Sequence, residues 1–412
     1  MRVAAREVDW RRNLLALWIA CFTGIVGITA MIPFVALFLT RDLGVRDPGQ
    51  LALWTGAASA ASGLGQAVAG PLWGALGDRF GRRPLLLRAI LMGGAIMAAT
   101  SLARSPQELL AYRLAFGLLA GPLPLATAIV ASETPRDHVA RALGVLNSGT
   151  ALALAIGPAI GAVIASFADV RVVFAIAGAG LLASSIFVFA MVRESPRERP
   201  VERRSGSLRS LPRRVLHVVA VMLAAQFLAS AVAVAVLPMM SLRFLALDPQ
   251  RSAVLTGVGF AISGALTAVA GLTFGATVGR LGYRRTAIGA ALVAAATLVV
   301  IAAPLPEAVV VAAYAVYGYT LGVLTPVTTS VMGLETPTRL HSTIFGVSGT
   351  AMAAGFTAGP LAAAGVAAAI SVPAALLFAA CLSAALALLV AGAMREPVAH
   401  EEPQPARVPA PP

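Results

Sequence analysis

An all-α integral membrane fold, with twelve transmembrane helices in two pseudo-symmetric six-helix bundles, is what this sequence predicts. Three observations carry the prediction. The chain has 412 residues, 58% hydrophobic and only 12% charged, against roughly 25% charged in a soluble globular domain. Apolar stretches long enough to cross about 30 Å of hydrocarbon as a helix recur from end to end. Short motifs of the first half also return in the second at a nearly constant offset, the signature of an internal repeat.

The first span is expected at 13–39, after a short basic segment. Arg11 and Arg12 precede it as in a signal sequence, but the apolar run is too long for one and more spans follow at once. Gly24, Gly27 and Pro33 interrupt this helix and allow close packing and a kink. Further spans are expected at 51–73, 84–102, 108–131, 139–167 and 172–192, completing a bundle over 1–192. Residues 193–214 carry eight arginines and three glutamates and read as a hydrophilic linker. The second bundle, 215–395, holds spans at 215–244, 252–278, 286–303, 308–332, 343–370 and 372–393. A Pro-rich polar tail, 396–412, is expected to be disordered.

Charge placement tests this topology. All 31 basic residues are arginine. With both ends of the chain on the cytoplasmic side, the inner loops and tails hold 24 of them and the outer loops six, the bias the positive-inside rule requires. The net charge of +13 is therefore a topology signal spread over short loops, and no nucleic-acid partner is expected. The absence of lysine from the sequence excludes a phosphate-binding P-loop and a Schiff-base lysine. Cys21 and Cys381 each lie within an apolar span and read as packing residues. His138, His217, His341 and His400 stand at span ends or in the tail, which disfavours a membrane-embedded hydrolase. No metal, cofactor or catalytic residue is expected. A receptor or scaffold would need a larger soluble domain than these short loops provide.

The most specific stretch is Gly74-Ala-Leu-Gly-Asp78-Arg79-Phe-Gly81-Arg82-Arg83, expected as a short hydrophilic elbow between the second and third spans. Gly81 supplies its turn, and Gly74 permits close helix packing. Its echo, Gly275 to Arg285, lies 201 residues on but has Gly279 where Asp78 stands. Glu133-Thr-Pro135, Gly144-Val and Gly157-Pro158 recur 202 residues later as Glu335-Thr-Pro337, Gly346-Val and Gly359-Pro360. Arg113 is the one charge deep within a span, in Arg113-x-x-x-Gly117-x-x-x-Gly121. At such depth it costs about 2.5 kcal/mol or more, so it must face a cavity or a partner. On the fifth span, Gly149, Gly157, Pro158 and Gly161 provide a side-chain-free, proline-bent face. Candidate cavity residues are Met31, Phe34, Asn147, Gln226, Tyr314, Tyr317 and Tyr319, a mixture suited to lipophilic guests by adaptable packing. No Asp or Glu falls in the middle of a span.

The decapeptide from Gly74 to Arg83 closely resembles the signature between helices 2 and 3 of the major facilitator superfamily of secondary transporters. The Arg113 segment resembles that family's fourth-helix motif, whose arginine is linked to proton transfer. The fifth span resembles the signature of its drug/proton antiporters, departing at Ala162, where the family usually has glycine. The resemblance covers nearly the whole chain. It implies a monomeric transporter of the cytoplasmic membrane of bacteria, working by alternating access and exchanging small lipophilic compounds for protons. It also implies that Asp78, Arg79, Arg82 and Glu133 form a cytoplasmic latch in the outward-open state, with Arg113 in coupling. Export of a sugar or another metabolite is the alternative, since Asn147, Gln226 and the tyrosines serve a polar guest as well.

Overall fold

Caps and prolines set where the helices begin. The computed structural model describes residues 9–120, 122–135, 137–195, 213–336 and 341–396. Asp9 accepts from the backbone N–H of Arg11 and Arg12 to open α1 (Trp10–Met31), and a 3₁₀ turn at Ile32–Phe34 around Pro33 joins it to α2 (Val35–Arg41). Asp47 caps α3 (Pro48–Phe80) through the N–H of Gln50, with Pro48 at the first helical position. α4 (Arg82–Thr100) follows, and Ser105 caps α5 (Pro106–Leu119) through Glu108. Then come α6 (Pro122–Glu133), α7 (Val139–Phe167), α8 (Val170–Met191), α9 (Arg213–Leu247), α10 (Ser252–Leu281), α11 (Tyr283–Ala302), α12 (Glu307–Glu335), α13 (His341–Ala369) and α14 (Val372–Ala393). Nine helical segments among the described residues are long and apolar enough to cross a membrane. Taking α1 with α2 and α5 with α6 as single passes, the fourteen α-helices make the expected twelve.

Two expectations need correction. The fourth span is not one helix: Ala120 is extended (φ −91°, ψ −173°), and α6 restarts at Pro122, a residue suited to the first turn of a helix and not to its interior. The stretch from Gly74 to Phe80 is not an elbow either. It forms the last two turns of α3, and only Gly81, at φ +93°, leaves the helix before α4. Gly282 (φ +79°) breaks α10 from α11 in the same way, a conformation that a side chain would oppose. Residues 196–212 of the expected linker and the tail from 397 lie outside the described residues, as do Gly121, the Asp78 side chain and the surroundings of Gly74.

Among the described residues the packing joins the halves at one end. One core cluster draws on both, from Met31 to Leu39 of the first pass through Phe174 to Val236, Phe244, Tyr314 and Ala367. At the other end the cores are separate: one cluster belongs to α1, α4, α6, α7 and α8, the other to α9–α14. The two seams thin along their length. In α3, a side chain on Gly56 would strike Ala364 of α13, and one on Gly63 would lie 3.0 Å from Phe356; Gly70 would meet nothing within 4 Å. In α10, a side chain on Gly257 would strike Ala162 of α7, whereas Gly271, Gly275 and Gly279 face open space. The outward surface is apolar, with Phe167, Leu272 and Leu388 largely exposed, as lipid contact requires. The face carrying loops 42–47, 101–105 and 248–251 is thus closed, and the face carrying Gly81, Gly282, Thr134 and His138 is open.

Candidate functional site

The closed end is built around aromatic rings and one buried cation. Tyr314 stacks on Tyr317 with centroids 6.0 Å apart and meets Phe260 and Phe244 edge-on. The Tyr317 hydroxyl donates to the Val232 carbonyl at 3.4 Å. Met31, Phe34, Tyr314 and Tyr317 are each at most 2% exposed; in this state they belong to the core cluster that draws on both halves and do not line an open cavity. Arg113 of α5 is 3% exposed. Its Nη1 donates to the Met31 sulfur at 3.8 Å, and its Nε has no partner. Among the described residues no carboxylate pairs with it. Ser62 of α3 donates to the Arg113 carbonyl at 3.2 Å, where Gly65 and Gly117 bring the two backbones together.

The other candidate cavity residues lie apart from that cluster. Gln226 is buried and accepts from the Ser348 hydroxyl at 2.7 Å, leaving its Nε2 unpaired. Asn147 is exposed on α7, and the Tyr319 hydroxyl lies 3.2 Å from that of Thr273. Gly149, Gly157 and Gly161 of α7 all turn toward the first pass, where added side chains would meet Trp18, Thr29 and Ala30 with Phe34. Pro158 sits within the same continuous helix.

The polar contacts across the closed face are few and specific. Arg41 donates to the Pro249 carbonyl at 3.4 Å, joining the halves. Arg171 gathers three segments, bonding Asp42 at 3.0 Å, the Ser101 carbonyl at 2.7 Å and the Ala103 carbonyl at 2.8 Å. Burial raises the Asp42 carboxyl above its ordinary value, and the charge and hydrogen bond of Arg171 oppose that rise. Arg243 makes the analogous clasp in the second half, to the carbonyls of Ile301 and Ala303.

At the open face, contacts are described for Arg79, Arg82 and Glu133 of the expected latch, while the Asp78 side chain lies outside the described residues. The Glu133 carboxylate accepts from the hydroxyl (2.7 Å) and the backbone N–H of Ser195, in the segment after α8. The α4 N-terminus is closed by Glu194, which accepts from the backbone N–H of Arg82 (2.8 Å) and Arg83 (2.9 Å). A carboxylate there satisfies free donors and opposes the positive end of the helix dipole. The Arg82 guanidinium reaches the Ala128 carbonyl at 2.6 Å, and Arg79 lies beside the Phe80 ring. In the second half, Glu396 takes the N–H groups of Tyr283 and Arg284 in the same manner. The sequence reading missed this pair of caps. The signal was present: Arg193-Glu194 and Arg395-Glu396 are 202 residues apart, the offset of the Glu133, Gly144 and Gly157 echoes.

A family model described as Major Facilitator Superfamily matches residues 17–242 and 222–411. The multidrug resistance protein MdtG of Yersinia enterocolitica is 37% identical over 194 residues, 47% of each chain. That of Proteus mirabilis is 35% identical over 195 residues, 47% of this chain and 48% of its own. The matched region thus spans about half the length of these curated relatives. Among solved structures, the nucleoside transporter NupG superposes with a TM-score of 0.72 at 14% identity, covering 92% of this chain and 98% of its own. A D-xylose-proton symporter gives 0.74 at 17% identity, covering 94% and 99%. At these identities the likeness concerns the fold alone.

Proposed function

This chain belongs to the Major Facilitator Superfamily, and on that premise we propose that it is a secondary active transporter that exports small lipophilic compounds in exchange for protons. The observation that carries the reading is the pair of halves packed together at one face and parted at the other, which is one of the two states that alternating access requires. The arginine asymmetry supports a cytoplasmic position for the open face, with residues 9 and 396 on that side. The molecule is then a monomer of the bacterial cytoplasmic membrane, facing inward. The names of the relatives matched over about half their length support drug-like cargo, as does the apolar, aromatic closed end.

In this reading Asp78, Arg79, Arg82 and Glu133 engage across the open face only when it closes, and the bonds from Ser195 to Glu133 belong to the released state. With no acid in the middle of a span, coupling runs through Asp78, Glu133, Glu335 or Arg113. The test is proton movement in proteoliposomes holding an imposed pH gradient. Lipophilic dyes and antibiotics should collapse the gradient, while Asp78→Asn and Arg113→Ala reconstitute normally but reduce the collapse at least tenfold. Collapse driven by sugars alone would replace the cargo with a metabolite. No response to either class would overturn the coupling.

A further inference from the structure

At the open face, a cleft of about 730 Å³ lies between the start of α1 and the start of α7. That volume is in the range of small-molecule sites. Trp10, Arg11 and Trp18 form one side; His138 and Arg141 form the other. The aromatic side is held in place: Trp18 stacks on Phe22 with centroids 5.0 Å apart and donates to the Ser148 hydroxyl at 3.5 Å. A side chain on Gly149 would strike its indole. Trp10 packs against the His138 ring at 5.4 Å, with the Arg11 guanidinium 5.4 Å from its own ring.

The cations of this cleft are available and its neighbouring acids are engaged. Arg141 is exposed and makes no hydrogen bond or ion pair among the described residues. Among the described residues no acid lines the cleft. Asp9 accepts the backbone N–H groups of Arg11 and Arg12, and Asp137 lies 3.4 Å from the His138 Nδ1. Below the charged rim the walls are apolar, and Leu15 (54% exposed) and Val145 (40%) are left uncovered. From Trp10 to Trp18 the helix rises about 12 Å, enough to pass from the headgroup region into the hydrocarbon. Tryptophans at that boundary and arginines above them match the two parts of one molecule.

We propose that this cleft is a binding site for an anionic phospholipid of the leaflet at the open face. The phosphate lies between Arg11 and Arg141, and an acyl chain runs along Leu14, Leu15 and Val145. This goes beyond the transport reading and does not depend on it. The test uses the full chain in phosphatidylcholine nanodiscs, titrated with brominated phosphatidylglycerol or brominated phosphatidylcholine, with tryptophan quenching as the readout. Brominated phosphatidylglycerol should quench at a mole fraction at least about fivefold lower, and Arg11→Gln and Arg141→Gln should each weaken that preference about fivefold. Arg141→Gln removes a side chain bonded to nothing described, so its folding is not at risk. Equal quenching by the two lipids would overturn the proposal, as would a preference that survives the double substitution. A preference that survives Trp10→Phe/Trp18→Phe would place the lipid elsewhere, and displacement by millimolar inorganic phosphate would make the occupant a soluble anion; either result overturns it.

Discussion

Asp42 and Arg171 show how much one arginine can organise when it is near a loop junction. Arg171 binds one carboxylate and two carbonyls from different connections of the closed face, so Arg171→Ala should destabilise the fold more than Asp42→Asn. The Asp42 carboxyl is raised from 3.8 by burial against the opposing pull of Arg171. A carboxyl raised in the folded state binds its proton more tightly there. Its stabilising contribution is therefore fully present below the unfolded value and is lost as pH rises through the folded one. Wild type should gain thermal stability relative to Asp42→Asn as pH falls through that interval. The gain should be below about 1 kcal/mol, because the pair is partly solvated. A flat difference profile between the two proteins in detergent would remove Asp42 from the pH response.

At the level of elements, α7 against the first pass is the contact most sensitive to volume. Thr29 bonds the Ala153 carbonyl of α7 at 3.1 Å while filling the space beside Gly157. Even Gly157→Ala brings a methyl onto the Thr29 hydroxyl, so it should cost about 1–3 kcal/mol by overpacking. Gly157→Leu should do worse and reduce transport at least tenfold at equal membrane expression. Normal activity of the leucine variant would show that this pair of helices has room to separate. The same scale shows what spacing alone conveyed. The glycines of α7 were legible as a bare face because they recur along one helix. The break at Ala120 was not, because Gly121 and Pro122 fall inside a run whose hydropathy alone suits one helix.

For the whole molecule, the prediction concerns two distances that must change in opposite senses. Spin labels at Arg46 and Gln250 report the closed face, and labels at Val145 and Ala276 the open one, in a Cys381→Ser background. Under a pH gradient with a transported compound, the first pair should populate a longer distance and the second a shorter one. Changes of the same sign in both pairs would exclude a rocking exchange between the halves. The closed seam is bistable in principle because few polar bonds cross it: Arg41 to Pro249 is the one described hydrogen bond between the halves at that face. Apolar packing supplies the rest, without a directional bond to break.

The sequence by itself determined the membrane class, the twelve passes, the twofold repeat and the turn at Gly81. These follow from hydropathy, charge and backbone sterics, which act locally and so are written in short stretches of chain. Tertiary structure alone decided which face is closed, that Met31, Phe34, Tyr314 and Tyr317 are buried in one core cluster, and that Arg113 is buried with no carboxylate paired to it among the described residues. It also assigned Glu133 to Ser195 and Glu194 to the α4 N-terminus. Those outcomes depend on how the two halves pack and on side chains brought together from positions far apart in sequence. Local propensity carries no information about either.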